Sequence, residues 1–245
     1  MLSRNEIKYI QSLTRKKVRA HGSVFIAEGA KIAKEMLHRE STIEIKKIYA
    51  LPHWENELEK YKSVANIVTE KELAQISGLH TPSEIIILAE KKEHSFEEVI
   101  TQGLVLVLDG IQDPGNMGTI IRTADWFGIK HIVAGHDCAD LYNPKVVQST
   151  MGSIIRVDVE YVSLENWLKK QQLPVYGAVL NGSKMNQLQP ISDAILLIGS
   201  EGNGIQKNLA SMITHPITIS GDGAAESLNA AVAAGILMAW LTSKF

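Results

Sequence analysis

Apolar residues follow two rhythms along this chain. Up to about residue 90 they come in short, mixed segments. Residues 5–19 read as one basic helix and Ser23 to Ile26 as a short strand. Gly29 to Arg39 reads as an amphipathic helix with Ile32, Ala33, Met36 and Leu37 on one side. Ile43 to Leu51 and Ile85 to Leu88 read as strands, with helices near 54–62 and 70–76 between them. The charged run Glu90-Lys-Lys-Glu-His-Ser-Phe-Glu-Glu has no strand period, so residues 1–92 are expected to form a small α/β domain and 93–102 a linker. From 103 to 245 the alternation is regular. Strands are expected at 104–108, 131–134, 154–159, 175–180 and 194–198, and helices near 117–127, 144–151, 164–171 and 204–211. That order predicts a parallel sheet with helices on both faces. Ala230 to Leu241 is apolar, 12 residues long and contains a glycine, which is too short for a bilayer and suits a buried C-terminal helix.

In such sheets ligands bind beyond the carboxyl ends of the strands, and three loops there carry unusual residues: 109–116, 199–204 and 219–229. The apolar run Leu104 to Leu108 breaks into Asp109-Gly-Ile-Gln-Asp-Pro-Gly-Asn116, where Asn116 fits an N-cap, and Gly128 fits the stop of the helix that follows. Arg122 lies among Ile120, Ile121 and Ala124, and pairs with Asp125 or Asp109 unless a ligand claims it. Gly199-Ser-Glu-Gly-Asn-Gly204 allows positive φ and close backbone approach, and Glu201 either meets a ligand or caps the helix starting near Ile205. Ser227 is a natural N-cap for the last helix, which leaves Asn229 inside its first turn needing a partner.

Charge and composition narrow the function classes. Net charge is −2, yet residues 1–19 hold six Lys/Arg against one acid. Arg15, Lys16, Lys17 and Arg19 form a local basic patch that suits phosphate, the alternative being a solvated helix face. The single cysteine, Cys138, excludes a disulfide framework, and Met1-Leu-Ser-Arg lacks a signal-peptide core, so a cytoplasmic setting is expected. The eight histidines show no metal-ligand spacing, and no metal is expected. The glycine loop does not match the dinucleotide pattern G-x-G-x-x-G, which argues against a nucleotide-dependent oxidoreductase.

Taken together, Asp113-Pro-Gly-Asn116-Met-Gly-Thr-Ile-Ile-Arg122-Thr-Ala, Leu197-Ile-Gly199-Ser-Glu201-Gly and Ser227-Leu-Asn229-Ala-Ala-Val-Ala-Ala-Gly resemble, in order, the three signature motifs of the SpoU/TrmH family of RNA ribose 2′-O-methyltransferases. The resemblance covers residues 104–241, and the first ninety residues, with Phe25-Ile-Ala-Glu28-Gly29, look like the family's L30e-like substrate-binding domain. It implies a parallel-sheet SPOUT domain with a C-terminal trefoil knot, against the usual rule of unknotted chains. It also implies a homodimer, an S-adenosylmethionine cofactor, and an RNA substrate, ribosomal (23S-type) rather than transfer RNA. By position it implies cofactor contacts at Ile198, Gly199, Gly202, Ile219 and Leu228, and a catalytic set of Asn116, Arg122, Glu201, Ser227 and Asn229. Two positions depart from the pattern: Ser220 stands where the third motif commonly has proline, so the cofactor loop lacks that rigidity, and Gln148 stands where a basic residue is frequent. The implied chemistry is methyl transfer to a ribose hydroxyl; the competing readings are a transfer-RNA enzyme of the same kind and a catalytically silent RNA-binding or ribosome-assembly factor.

Overall fold

The computed structural model describes residues 2–38, 43–92 and 99–242. Most of the expected 93–102 linker therefore lies outside the described residues. The chain divides into two compact units, one of Met1–Glu93 with Asp140–Ile155, the other of His94–Ala139 with Arg156–Phe245.

The first unit contains α1 (Arg4–Ser12), α2 (Lys16–His21), β1 (Val24–Glu28), α3 (Ala30–His38), β2 (Ile45–Ala50), β3 (Ala65–Ile67), α4 (Glu70–Ile76), β4 (Ile85–Glu90) and α6 (Pro144–Ser149). Its sheet runs β1-β4-β2-β3, antiparallel except for the β2–β3 pair. Ile10, Leu13, Ile26, Tyr49, Leu73, Ile86 and Leu88 form a buried cluster between helices and sheet. The single helix expected over 5–19 is two. The hydroxyls of Ser12 and Thr14 donate to the carbonyls of Tyr9 and Gln11, competing with helix continuation, and the chain turns before Lys16. The helix expected at 54–62 is replaced by two short 3₁₀ turns, Pro52–Trp54 and Glu59–Tyr61. Asp140–Ile155, read from sequence as part of the C-terminal alternation, packs within this unit, with α6 against β1 and the Tyr142 ring 4.9 Å from that of Phe25.

The second unit contains β5 (Leu104–Leu108), α5 (Pro114–Phe127), β6 (His131–Gly135), β7 (Asp158–Val162), α7 (Leu164–Leu168), β8 (Val175–Lys184), β9 (Ala194–Ile198), α8 (Lys207–Ala210), β10 (His215–Thr218) and α9 (Ala230–Leu241). Its six strands are all parallel, in the order β10-β8-β9-β5-β6-β7. The central strands β5 and β9 are nearly all buried, as their unbroken Val/Leu/Ile runs require. The strand expected at 154–159 starts at Asp158, because positive φ at Met151 and Gly152 ends α6 and a 3₁₀ turn takes Ser153–Ile155. The helix expected over 204–211 is only Lys207–Ala210. β10 escaped the sequence reading because Pro216 argues against a strand; it is tolerated at a sheet edge, where the register also shifts between Pro216 and Ile217. The C-terminal helix occupies the expected residues. It packs on α5 at Gly235, where an added Cβ would lie 3.6 Å from the Thr123 methyl carbon. No helix among the described residues is long and apolar enough to cross a membrane.

The basic N-terminal segment is not uniform. Arg15, Lys16 and Lys17 are exposed, whereas Arg19 is 3 % exposed. Its Nε donates to Asp140 Oδ2 at 2.8 Å, and its Nη1 donates to the carbonyls of Leu13 and Thr14 at 3.2 and 2.6 Å. Arg19 is thus an internal tie holding the turn between α1 and α2. Replacing it with alanine strands the Asp140 carboxylate and two carbonyls, and is expected to cost about 2 kcal/mol in chemical denaturation of the full chain, against under about 0.5 kcal/mol for Lys16→Ala or Lys17→Ala. Equal effects at the three positions would contradict the assignment.

Candidate active site

The site begins where β5 and β9 end side by side. The Asp109 N–H donates to the Ile198 carbonyl at 2.9 Å, prolonging the strand pair into the two loops that follow. Asp109, 1 % exposed, accepts from the Gln206 backbone N–H at 2.7 Å and its Nε2 at 2.6 Å. Burial raises the Asp109 pKa, and the two bonds from Gln206 oppose that rise. Gln206 Nε2 also reaches Asp137 Oδ2 at 3.1 Å. The far end of the glycine loop is in this way fixed to β5. Ser200 and Gly204 bridge each other, and a Cβ at Gly199 would fall 2.2 Å from the Gly204 carbonyl carbon. Glycine is required at 199 by the loop's own closure, a stronger demand than the ligand approach expected from sequence.

α5 starts one turn earlier than expected. Asp113, not Asn116, is the N-cap, accepting the Asn116 N–H on Oδ1 at 2.8 Å, with Pro114 in the first turn. Gly128, with φ of 79°, ends α5 as expected. Likewise Asn229, not Ser227, caps α9, accepting from the N–H groups of Ala231 and Val232 at 3.0 and 3.3 Å. Both asparagines keep their amide groups for another purpose. Glu201 Oε1 accepts from Asn116 Nδ2 at 2.9 Å, from the Ala230 N–H at 3.0 Å and from Asn229 Nδ2, which also donates to Asn116 Oδ1 at 3.0 Å. One carboxylate oxygen therefore joins the α5 start, the glycine loop and the α9 start. The capping role considered for Glu201 is real, but it serves α9 and not the helix after Ile205.

Arg122, about two turns into α5, is exposed and has no hydrogen-bond or ion-pair partner among the described residues. The two partners considered for it are taken, Asp109 by Gln206 and Asp125 by Arg156. Ser227 is exposed and likewise has no hydrogen-bond partner among the described residues. The fold thus brings together Asn116, Glu201 and Asn229, and leaves Arg122 and Ser227 outside that network.

A cavity of about 470 Å³ lies over these loops, lined by Asp109, Asn116, Asp137, Glu201, Gly202 and Gln206 among others. Ile198, Gly199, Ile219 and Leu228 do not line it. Ile198 is buried, Ile219 half-buried and Leu228 44 % exposed. Residues 220–228 are irregular and exposed, with no hydrogen-bond partner among the described residues. Sequence reading missed Gln206 and Asp137; a carboxylate directly after a buried strand, at Asp109, was the signal that a donor must be nearby. Cys138 beside them is inert as a nucleophile, since burial pushes its thiol up to about 11.

A parallel α/β domain with an amide–carboxylate site assembled from three strand-end loops, preceded by a small α/β unit, is the class this architecture defines. Residues 103–239 match the sequence profile of the SpoU rRNA Methylase family, and residues 4–87 match that of the MRM3-like substrate binding domain. The chain belongs to the SpoU rRNA methylase family. It is 31% identical over 241 residues to a 23S rRNA (guanosine(2553)-2′-O)-methyltransferase of Bacillus subtilis, covering 95% of this chain and 94% of that one. Among solved structures, a TrmH-family chain from Porphyromonas gingivalis is 34% identical with a TM-score of 0.84, each chain covered in full. An AdoMet-bound rRNA methyltransferase from Sinorhizobium meliloti is 27% identical with a TM-score of 0.88, covering 100% of this chain and 97% of that one.

The double use of Asn229 makes a pH test. Asn229→Ala loses cap and network and is expected to cost about 1 kcal/mol of stability. Asn229→Asp keeps an acceptor for Ala231 and Val232 but sets a second carboxylate against Glu201, which raises the folded-state pKa of the pair. A raised carboxyl pKa means the folded state takes up the proton first, so this variant is expected to gain stability relative to the parent as pH falls from 7 to 5. A stability difference independent of pH would contradict the contact.

Proposed function

We propose that this protein methylates a ribose 2′-hydroxyl of ribosomal RNA, with S-adenosylmethionine as donor, as a cytoplasmic homodimer. The observation that carries the reading is the junction at Glu201 Oε1, which holds residues of all three family motifs in one place. The names of the Bacillus subtilis and Sinorhizobium meliloti relatives support the reaction, the ribosomal substrate and the cofactor. We assign substrate binding to residues 1–92 and the reaction to residues 103–245, although Asp140–Ile155 packs within the first unit.

The residues suit the cofactor. Unpartnered backbone groups at 220–228, with Ile219 and the exposed Leu228 at either end, offer hydrogen bonds and apolar cover of the kind a purine nucleoside takes; Ile198, at the end of β9, and Gly199 and Gly202, in the loop after it, belong to the same proposed contact set. When bound, the sulfonium supplies the methyl group. A ribose hydroxyl is a poor nucleophile and must lose its proton, to solvent water, as the new O–C bond forms and the methyl–sulfur bond breaks. Arg122 cannot take that proton, since a guanidinium stays protonated; it binds the adjacent phosphate and stabilises negative charge growing on the hydroxyl oxygen. Ser227 positions the ribose. Asn116, oriented by Glu201, presents its remaining amide N–H to ribose or phosphate, and Asn229, whose amide hydrogens go to Glu201 and Asn116 while its oxygen caps α9, holds Asn116 in that orientation.

Two surfaces complete the reading. Trp126 on α5 is 85 % exposed and Val232 on α9 is 50 % exposed, and on these two packed helices they are the apolar side chains we assign to contact with a second copy, with Arg122 one turn from Trp126. A shared site explains why Arg122 stands apart from the Glu201 network within one chain. Arg15, Lys16 and Lys17 contact RNA phosphates; Arg19, in the same run, holds them in place. The trefoil knot belongs to the same reading, supported by the placement of β9 between β8 and β5 and the return of α9 onto α5 and β9.

One assay tests these assignments: transfer of labelled methyl from S-adenosylmethionine to unmodified ribosomal and transfer RNA, with product recovered as 2′-O-methylnucleoside. Ribosomal RNA is expected to be labelled. Arg122→Ala is expected to lower kcat by about 100-fold, the scale of one lost oxyanion donor, with little change in KM for the cofactor. Replacing Arg15, Lys16 and Lys17 by alanine is expected to reduce the salt slope of RNA binding by about 3. Trp126→Glu is expected to give monomers in light scattering and to lose transfer. Full activity in Arg122→Ala, an unchanged salt slope, or an active monomer would each remove the corresponding part of the reading.

A further inference from the structure

Arg122 and Asp125 are three residues apart on α5, the spacing at which helical side chains of opposite charge meet. They do not pair. The Asp125 carboxylate is taken by Arg156, the residue just before the short link to β7, through Nε at 3.1 and 2.9 Å to its two oxygens and Nη2 at 2.7 Å to Oδ2. Two guanidinium nitrogens thus engage both carboxylate oxygens in a fork, with side chains 29 % and 22 % exposed. A fork of this kind outcompetes a single mobile contact from a neighbour on the same helix.

We infer that Arg156 is a positioning residue for the methyl-transfer site: by occupying Asp125, it keeps the Arg122 guanidinium unpaired and available to RNA phosphate. Asp125 alone would be a standing competitor for that phosphate, with the same charge and a permanent place beside the arginine. Arg156 does not touch the proposed reacting groups; it acts through Asp125. The inference rests on the reading of Arg122 as the group that meets RNA, and it adds what holds Arg122 in its working state.

The test compares the parent, Arg156→Ala, Asp125→Asn and the double variant in the methyl-transfer assay. In Arg156→Ala the freed Asp125 pairs with Arg122, and kcat falls by about fivefold, the ceiling for an exposed pair, while KM for S-adenosylmethionine holds. Adding Asp125→Asn removes the competitor, so the double variant recovers to within about twofold of the parent, although the contact between α5 and the segment before β7 is still absent. A double variant as slow as Arg156→Ala would show that Arg156 only braces α5, and would overturn the inference. Undiminished activity in Arg156→Ala would overturn it as well. A readout independent of activity separates this inference from the role given to Arg122. In the Arg156→Ala background, Arg122→Ala and Asp125→Asn are expected to be non-additive in melting temperature, and in the parent background additive. Additivity in both backgrounds means that Arg122 and Asp125 never pair, which refutes the inference; coupling together with a fully active Arg122→Ala refutes the role of Arg122 and leaves the pairing intact.

Discussion

A single carboxylate oxygen, Glu201 Oε1, is the point on which the C-terminal unit's chemistry depends. It receives three N–H groups, from Asn116, Asn229 and the Ala230 backbone, and those groups come from parts of the chain separated by 85, 28 and 29 residues in sequence. Each donor has a second duty: Asn229 caps α9, Asn116 sits in the first turn of α5, and Ala230 opens an almost wholly apolar helix. A helix start with bare N–H groups favours a negative partner, and Glu201 gives α9 one. The network is therefore a consequence of helix-end physics before it is a feature of a site.

Around this junction the fold supplies rigidity in a definite order. The parallel β9–β5–β6 core fixes where the strands end. Asp109, carried by β5, grips Gln206 and so closes the loop that bears Glu201. The Gly199–Gly204 approach leaves no room for a side chain, so the loop has one shape. Residues 220–228 have no hydrogen-bond partner among the described residues, and they are the ones we propose for the cofactor. A preformed amide–carboxylate frame beside an open, irregular strap suits an enzyme that must hold a ribose still while admitting a nucleoside-sized donor.

Much of this could be read from the residues. Buried strands at 104–108 and 194–198 and the terminal helix over 230–241 follow from unbroken apolar runs, and their boundaries in the structure are the expected ones. Caps were harder. Asp113 and Asn116, and Ser227 and Asn229, are pairs of good capping residues, and the sequence does not say that Asp113 caps while Asn116 bonds to Glu201, or that Asn229 does both and Ser227 neither. β10 was hidden by Pro216 and the split of the first helix by two hydroxyls, both local chemistry overriding periodicity. The basic run concealed its one internal member because charge along a sequence does not say which arginine faces Asp140. Arg122 shows the converse: sequence proximity to Asp125 suggested a pair, yet that carboxylate is held by Arg156, 31 positions beyond Asp125.

The most direct measurement is amide hydrogen exchange across the C-terminal unit in the parent and in Glu201→Ala. If one oxygen ties the three segments together, removing it accelerates exchange at the α9 start around Ala230 to Val232 and at the α5 start around Asn116, as well as in the glycine loop itself. Acceleration confined to residues 199–204 would contradict the account, because α5 and α9 would then be held by their own caps and packing alone.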